Sequence, residues 1–232
     1  IPNRRPSLGR IRGLSVMCET VGGKKGFRLT VKEPQGSTRI GTAGVGLREV
    51  SFYRNLTDQL PMHVPHLFAS HPNGDWLIME MLSLEREPEN WSAGDYLRAI
   101  EQIVALHDRF WELGADLSVY PWLARPLGTD YDIYLQAAKT GLRRLCNNNL
   151  TDLFSHEPLL IRMIKRLIEH ADQIAAALRA APATLLHGDY WPGNINIGRD
   201  GVLFVYDWQQ ASIGPGVLDL FHFIQTSQWY FN

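Results

Sequence analysis

The stretch His187-Gly188-Asp189-Tyr190-Trp191-Pro192-Gly193-Asn194 decides the fold, together with the Tyr206-Asp207-Trp208 step that follows it. Asp189 and Asn194 are five positions apart, and the Pro192-Gly193 pair between them favours a rigid loop over a helix. A loop of this length can turn both side chains toward one point. Such a pair can accept a proton from a hydroxyl and hold a divalent cation against phosphate oxygens, as phosphoryl transfer requires.

Two short runs of β-forming residues follow this loop. Ile195-Asn196-Ile197 and the run at 202–206 flank a Gly198-Arg199-Asp200-Gly201 turn, which is a pattern typical of a hairpin. A hairpin would return the chain so that Asp207 emerges close to Asn194. A hard oxygen ligand at that place suits Mg²⁺, which proteins usually hold with one or two carboxylates plus substrate phosphates.

The motif His187-Gly188-Asp189, with Asn194 and then Asp207-Trp208, resembles the aminoglycoside phosphotransferase and choline kinase family, small-molecule kinases with a protein-kinase-like fold. The resemblance implies that Asp189 is the catalytic base and that Asn194 and Asp207 bind Mg²⁺. It also implies that His187 orients the loop by hydrogen bonds. The downstream segment at 214–220 resembles the family's Gly-x-x-x-x-Asp-Leu segment, whose acid, here Asp219, is mainly structural.

The first part of the chain carries candidates for nucleotide binding. The β-type runs at 16–20 and 27–34 flank a glycine-rich turn, which predicts a hairpin. Lys32 takes the place of the kinase strand lysine that pairs with the α- and β-phosphates. The run at 47–56 has a helical apolar period, and Glu49 on it can reach Lys32 and hold it extended. The alternative is that Lys32 and Glu49 are ordinary surface charges.

The apolar run at 76–82 resembles the hinge strand between the kinase lobes, and it places the adenine contacts around Glu80, Met81 and Leu82. The segment at 12–15 is predicted to be a loop between candidate strands, where Gly13 and Ser15 could offer backbone N–H groups or a hydroxyl to phosphate. The glycines at 41–46 predict a mobile connection.

The later part of the chain is rich in helical patterns. Ser92 and Asp95 begin a capping-box-like start, after which apolar residues follow a helical period to Trp111, with His107 as a core residue. A single helix is predicted from Pro158 to about Ala180, followed by a strand at 184–186 that leads into His187. Two interpretations are open for the acids in the segment between these helices: they bind an amine-bearing acceptor, or they are solvated loop residues. The acids are Asp116, Asp130 and Asp132.

These patterns predict an α+β, protein-kinase-like two-lobe fold. Residues 1–82 would form an N-terminal lobe with an antiparallel sheet and one helix, and residues 83–232 would form a mainly helical C-terminal lobe. The chain has 232 residues, is 45% hydrophobic and carries a formal net charge of −1, which does not favour binding to nucleic acid or to a membrane surface. Cys18 and Cys146 imply no disulfide framework, and no apolar run approaches a membrane span. The segment at 1–6 lacks the apolar core of a secretory signal. We therefore expect a cytoplasmic monomer or homodimer.

The functional hypothesis is an ATP- and Mg²⁺-dependent transfer of the γ-phosphoryl group to a hydroxyl of a small molecule, with GTP as another donor. The acceptor would be aminoglycoside-like, an amino alcohol or a sugar, and residues beyond Asn232 are expected to complete its pocket. Two alternatives stay open. A non-catalytic nucleotide-binding module fits Gln209, where relatives often carry an acid, and fits the sparse phosphate loop. A metal-dependent hydrolase would use the same acids.

Overall fold

A computed structural model describes residues 9–34, 44–83, 86–147, 158–198 and 200–230. The N-terminal part is a four-stranded antiparallel sheet of order β1-β2-β4-β3, with helix α1 inserted between β2 and β3. The bounds are β1 (Gly9–Thr20), β2 (Gly23–Pro34), α1 (Val45–Asn55), β3 (Leu67–Ser70) and β4 (Leu77–Glu80). The predicted turn at 198–201 is described except for Arg199. Residues 41–43, which are half of the predicted connection at 41–46, lie outside the described residues, as do residues 1–8.

The β1–β2 hairpin is longer than the sequence predicts. It pairs without interruption from Gly9 opposite Pro34 to Thr20 opposite Gly23, so Gly13 and Ser15 lie inside a strand. The prediction of a loop at 12–15 is therefore wrong. The main-chain hydrogen bonds of a continuous ladder outweigh the roughly 0.5–1 kcal/mol by which one glycine weakens a strand.

The later part of the chain is mainly helical, with two small antiparallel strand pairs. Its helices are α2 (Ala93–Arg109), α3 (Gly114–Leu117), α4 (Tyr131–Asn147), α5 (Pro158–Glu169), α6 (Ala171–Arg179) and α7 (Val217–Ser227). Strand β5 (Thr184–Leu186) pairs with β8 (Ser212–Gly214), and β6 (Ile195–Ile197) pairs with β7 (Leu203–Val205). The pairing of β6 with β7 confirms the predicted hairpin after the loop. Short 3₁₀ turns lie at 57–59, 88–90, 192–194, 208–210 and 228–230.

Helix α2 begins as its sequence predicts. The Ser92 hydroxyl accepts the N–H of Asp95, and the Asp95 carboxylate accepts the N–H of Ser92, so the capping box is complete. Such a cap stabilises a helix by about 1 kcal/mol. Arg86 and Arg98 both form ion pairs with Asp95. Burial opposes ionisation, but the bonds from Ser92, Arg98 and Arg86 hold the pKa of the Asp95 carboxyl well below its usual range.

The single helix predicted from Pro158 to about Ala180 is wrong, because the chain forms two helices that meet at His170. His170 has φ −103° and ψ 13°, outside the helical region. Helix α5 packs against α4, whereas α6 turns its buried Ala175 toward the core. The apolar period along the sequence continues across His170 and does not record this break, which depends on the backbone conformation of one residue.

A continuous core joins the sheet to the helices and positions the loop that follows β5. Phe52 of α1 stacks on Trp208, with ring centroids 3.9 Å apart and an interplanar angle of 10°. Leu77 of β4, Ile103 of α2 and Leu185 of β5 belong to the same buried cluster. None of the helices in the described ranges is both long enough and apolar enough to span a membrane.

Candidate active site

Lys32 lies at the centre of a three-residue charge cluster that joins the two parts of the fold. Its Nζ atom is 2.9 Å from Glu49 Oε1, 2.7 Å from Glu49 Oε2 and 2.7 Å from Asp207 Oδ1. Lys32 and Glu49 are buried, while the Asp207 side chain keeps 25% of its exposure. The structure thus brings together a strand lysine, a helix glutamate and the acid after β7.

The electrostatics of the cluster follow from its burial. Burial alone would lower the pKa of Lys32, but the charges of Asp207 and Glu49 raise that pKa above its ordinary value. Burial raises the pKa of Glu49 to about 7, against the opposing effect of Lys32. Lys32 is therefore a permanent cation at neutral pH, and Glu49 takes up a proton more readily than an exposed glutamate does.

Helix α1 is held in place by contacts that the ion pair alone could not provide. Besides the stacking of Phe52 on Trp208, Arg48 donates to the carbonyl oxygens of Trp122 at 3.0 Å and of Gln209 at 2.9 Å. The stacking on Trp208 and the bond to Gln209 tie α1 to the turn immediately after Asp207. Glu49 and Asp207 are thereby fixed on the two sides of Lys32.

The loop at 187–194 places Asp189 and Asn194 in contact. Asn194 Nδ2 donates to both the Asp189 backbone oxygen and Asp189 Oδ2, each at 2.9 Å. Gly188 permits the bend, because its φ is +80° and an added Cβ would lie 2.1 Å from the Gln210 carbonyl oxygen. The loop returns to the β7 side through a 2.6 Å bond from the Tyr206 hydroxyl to the Gly193 oxygen.

His187 and Asp219 support this loop from beneath. Asp219 accepts the backbone N–H of His187 at 2.8 Å and that of Gly188 at 2.9 Å. Burial lowers the pKa of the His187 ring. His187 Nδ1 accepts the N–H of Asp189, so the ring proton is on Nε2 and bonds the Tyr206 oxygen at 3.0 Å. His107 is buried, as predicted, and its Nε2 lies 3.2 Å from Asp219 Oδ2.

Helix α7 adds a side chain that the sequence motifs do not include. His222 Nε2 lies 3.2 Å from Asp189 Oδ1, so each carboxylate oxygen of Asp189 has a neighbour. Burial alone would raise the pKa of Asp189, but the bonds from His222 and Asn194 lower it below its usual value. Asp189 is therefore ionised at neutral pH and can accept a proton or a hydrogen bond.

A cavity of about 540 Å³ opens between the sheet and the helical part, within the size range of cofactor sites. Its lining joins the charge cluster to the predicted hinge and includes Ile11, Lys32, Glu80, Met81, Leu82, Tyr206 and Asp207. The N–H groups of Glu80 and Met81 already donate to the oxygens of His66 and Arg28. A main-chain contact to adenine would therefore come from the carbonyl groups of this segment or from the N–H of Leu82.

The oxygen donors of Asn194 and Asp207, which lie close together because the Tyr206 N–H bonds the Asn194 backbone oxygen at 3.1 Å, fit a magnesium ion better than a transition metal. Asn194 uses its amide nitrogen for both bonds to Asp189, so a cation would bind its carbonyl oxygen Oδ1. Asp207 supplies a carboxylate, and oxygen ligands of this kind are those that Mg²⁺ takes up together with phosphate oxygens. Within the described ranges no cluster of three or more His, Cys, Asp or Glu side chains could hold a metal by itself.

A second cavity, of about 450 Å³, lies between α2 and α7 and is lined by apolar residues such as Val104, Trp111 and Val217. None of the residues predicted for the site lines it. Of the two cavities, only the one that contains Lys32 and Asp207 is lined by residues predicted for the site.

Residues 18–232 match the family model described as the phosphotransferase enzyme family, APH. The chain belongs to this family. No curated protein matches it. The family assignment agrees with the resemblance read from His187 to Trp208, and it is independent of the geometry described above.

Solved structures of family members share the fold at low sequence identity. The streptomycin–ATP–APH(2")-IIa ternary complex is 18% identical, with a TM-score of 0.50, and the match covers 91% of this chain and 69% of that chain. The GDP and kanamycin complex of APH(2")-IIia is 12% identical, with a TM-score of 0.61 and coverage of 96% and 74%. Choline kinase LicA from Streptococcus pneumoniae is 14% identical, with a TM-score of 0.51 and coverage of 95% and 70%. These likenesses confirm the predicted protein-kinase-like fold.

The structure brings some of the predicted site residues into contact and leaves others apart. Lys32, Glu49 and Asp207 meet, Asp189 meets Asn194, and the hinge residues share the cavity with Lys32. Gly13 lies beside the hinge, since an added Cβ would be 2.9 Å from Met81 Cε, whereas Ser15 lies farther along β1, opposite Arg28. Of the acids proposed for an amine, Asp130 accepts the N–H of Arg125 at 2.7 Å, and Asp116 and Asp132 are exposed.

Sequence reasoning missed Arg48 and His222. Arg48 acts through backbone carbonyls, which leave no signal in a sequence. His222 follows Asp219 by three positions on one helix, so both lie on neighbouring positions of one face. That spacing could have drawn attention to His222, because Asp219 belongs to a motif that packs under the loop.

Proposed function

We propose that this phosphotransferase family member moves the γ-phosphoryl group of ATP, or of GTP, to a hydroxyl of a small molecule. The observation that carries the proposal is the shared cavity, in which Lys32 and Asp207 face the hinge residues Glu80, Met81 and Leu82. A nucleotide whose base lies at the hinge would have its phosphates directed toward Lys32. The relatives' complexes with ATP and with GDP support a nucleotide donor.

The residues divide the work by position. Lys32 would bind phosphate oxygens, and Glu49 would hold Lys32 extended from the opposite side. Asp189 would accept the proton of the acceptor hydroxyl as the phosphoryl group moves in line. A base with a lowered pKa is sufficient for this reaction, because a loose phosphoryl-transfer transition state leaves the attacking hydroxyl with much of its proton.

Asn194 and Asp207 would hold Mg²⁺. The ion supplies charge neutralisation for the phosphate oxygens when it is bound. Lys32 contacts Asp207 directly, so the cation of the protein and the carboxylate that would hold the metal are adjacent in the cleft. With the ion bound, Lys32 and Mg²⁺ would together place positive charge where the phosphates would lie.

The acceptor is proposed to be a small hydroxylated compound of the aminoglycoside, amino-alcohol or sugar type. The family assignment supports an alcohol acceptor, and relatives include structures with kanamycin and with streptomycin and a choline kinase. An aromatic group beside the loop offers an apolar surface to such a compound: Trp191 lies 6.0 Å from Trp229 and 6.3 Å from Tyr230, measured between ring centroids.

The two alternatives have less support. A metal-dependent hydrolase would need its own ligand cluster, and the described part of the chain holds none with three His, Cys, Asp or Glu side chains. A non-catalytic nucleotide-binding module would not need Asp189 to be oriented from two sides, as it is by Asn194 and His222. No finding favours either alternative over the kinase.

The test is Mg²⁺-dependent formation of ADP from ATP, measured with and without a panel of aminoglycosides, amino alcohols and sugars. The matched variant is Asp189→Asn, which keeps the shape of the side chain and removes its basicity. We expect acceptor-stimulated turnover in the wild type and a loss of about 10²–10⁴-fold in the variant, with little change in nucleotide affinity.

Two other outcomes would decide against the proposal. Phosphate release that no acceptor stimulates, and that needs the same residues, would assign a hydrolase. Tight binding of Mg²⁺–ATP with no turnover toward any acceptor class would assign a binding module.

A further inference from the structure

Among the residues that the structure describes, His222 contacts Asp189 from outside the motif loop and the residues it implies. Its Nε2 atom lies 3.2 Å from Asp189 Oδ1, while Asn194 Nδ2 lies 2.9 Å from Asp189 Oδ2. The two donors approach different oxygens and come from different elements, α7 and the loop after β5. The carboxylate plane of Asp189 is therefore fixed by two separate contacts.

A single contact would not fix this plane. With Asn194 alone, the carboxylate could turn about its χ2 torsion, which is broad for aspartate. The second contact removes that freedom, and each carboxylate oxygen keeps further lone pairs with which it can accept from a hydroxyl. A base that is to accept a proton from a hydroxyl needs this orientation within hydrogen-bond reach of the hydroxyl.

The exposure of the pair argues against a role in stability. The His222 and Asp189 side chains are 37% and 34% exposed. An exposed pair of this kind contributes little to folding because water screens it and because holding two side chains together costs entropy. The backbone of the loop is already held by Asp219, which bonds the N–H groups of His187 and Gly188.

We propose that His222 is a positioning residue for the reaction, which donates from Nε2 to Asp189 Oδ1 and orients the base toward the acceptor hydroxyl. The inference rests on the proposed function. It adds a residue of α7 to the site, and this residue acts through Asp189 without touching the nucleotide.

Two substitutions separate the hydrogen bond from the ring. His222→Leu removes the donor at similar volume, whereas His222→Gln keeps an N–H group at about the place of Nε2. The matched control is His71→Leu, because His71 also pairs with an aspartate, Asp75, at 3.0 Å but lies in the turn before β4. Steady-state kinetics are measured for both substrates, with thermal unfolding of every variant.

In the wild-type background we expect His222→Leu to lower kcat about tenfold, a part of the roughly 10²–10⁴-fold that a positioned base contributes. The KM values should stay within about twofold, because His222 holds the base and leaves ground-state binding of the substrates unchanged. His222→Gln should recover most of the activity, and His71→Leu should match the wild type. In an Asp189→Asn background, His222→Leu should cause little further loss.

A readout independent of activity is the ¹⁵N resonance of His222 Nε2. Its chemical shift should change in Asp189→Asn. In Asp75→Asn the His222 shift should be unchanged, and only the His71 resonance should shift.

The results distinguish this inference from the function on which it rests. Two results would show that the inference is wrong while the kinase function stands, given a wild type that phosphorylates an acceptor. In the first, His222→Leu leaves kcat unchanged. In the second, His222→Leu lowers kcat by the same factor in the Asp189→Asn background as in the wild-type background. If the chemical shift of His222 Nε2 is unchanged in Asp189→Asn, His222 does not bond Asp189 and the inference is wrong. If no acceptor is phosphorylated by a wild type that binds Mg²⁺–ATP, the proposed function fails and the inference falls with it.

Discussion

Removal of the Lys32 charge by Lys32→Met gives the sharpest test of the buried charge cluster. The substitution leaves Glu49 buried without its cation and leaves Asp207 facing Glu49. Breaking a buried ion pair by removing one partner costs about 3–5 kcal/mol. For a chain of this size each kcal/mol lowers Tm by about 2–4 °C, so a loss of 3 kcal/mol corresponds to about 6–12 °C.

The effect should depend on pH with a definite sign. The pKa of Glu49 is raised to about 7, above the unfolded value near 4.3, so protonation of Glu49 favours the folded state. Stability linked to this group therefore falls as pH rises from about 4.3 to 7 in the wild type and levels off above that. In Lys32→Met the pKa of Glu49 rises further, and the fall continues above pH 7. Between pH 6 and pH 8 the gap between variant and wild type should widen by about 1 kcal/mol.

The assay is thermal unfolding followed by circular dichroism at pH 6 and pH 8. Lys25→Met is the matched control, since it removes a lysine from the exposed part of the β1–β2 hairpin. It should leave Tm within about 1–2 °C of the wild type at both pH values. A Lys32→Met variant whose Tm equals that of the wild type at pH 8, or whose loss is the same at both pH values, would refute this account of the cluster.

Three other substitutions test the remaining parts of the site and its scaffold. Asp207→Asn should keep the fold intact, because asparagine tolerates the left-handed backbone at this position, where φ is 69°. The loss of the carboxylate should raise the Mg²⁺ concentration needed for half-maximal activity by about tenfold or more. Gly188→Ala should abolish turnover in the ADP assay and lower Tm in thermal unfolding, because the alanine Cβ would lie 2.1 Å from the Gln210 oxygen. Ser92→Ala should cost about 1 kcal/mol of stability in urea unfolding without changing kcat.

Each of these expectations has a clear contrary result. An unchanged Mg²⁺ requirement in Asp207→Asn would remove this residue from the metal site. A fully active Gly188→Ala enzyme would mean that the loop has room that the structure does not show. A fall in kcat in Ser92→Ala, with stability unaffected, would give the start of α2 a role beyond that of a helix cap.

The sequence by itself determined the features that depend on neighbouring residues. Pro192-Gly193 sets the loop between Asp189 and Asn194, the turn at 198–201 joins β6 to β7, and Ser92 with Asp95 begins α2. These features are local because a fixed φ, a tight turn or a cap is decided within a few residues. The spacing of Asn194 and Asp207 also carried the prediction that they lie close together, since the hairpin between them returns the chain and the Tyr206 N–H bonds the Asn194 oxygen at 3.1 Å.

Only the tertiary structure decided which distant groups meet. The partners of Lys32 are 17 and 175 positions away along the chain, and His222 is 33 positions from Asp189. The strand through Gly13 and the break at His170 also depend on pairing and packing with distant segments. A local sequence pattern indicates which conformation a segment prefers. Which distant segments come into contact is decided by burial and hydrogen bonding summed over the whole core. For that reason the motif predicted Asp189 as the base in advance, whereas the contact of His222 with Asp189 became visible only in the folded chain.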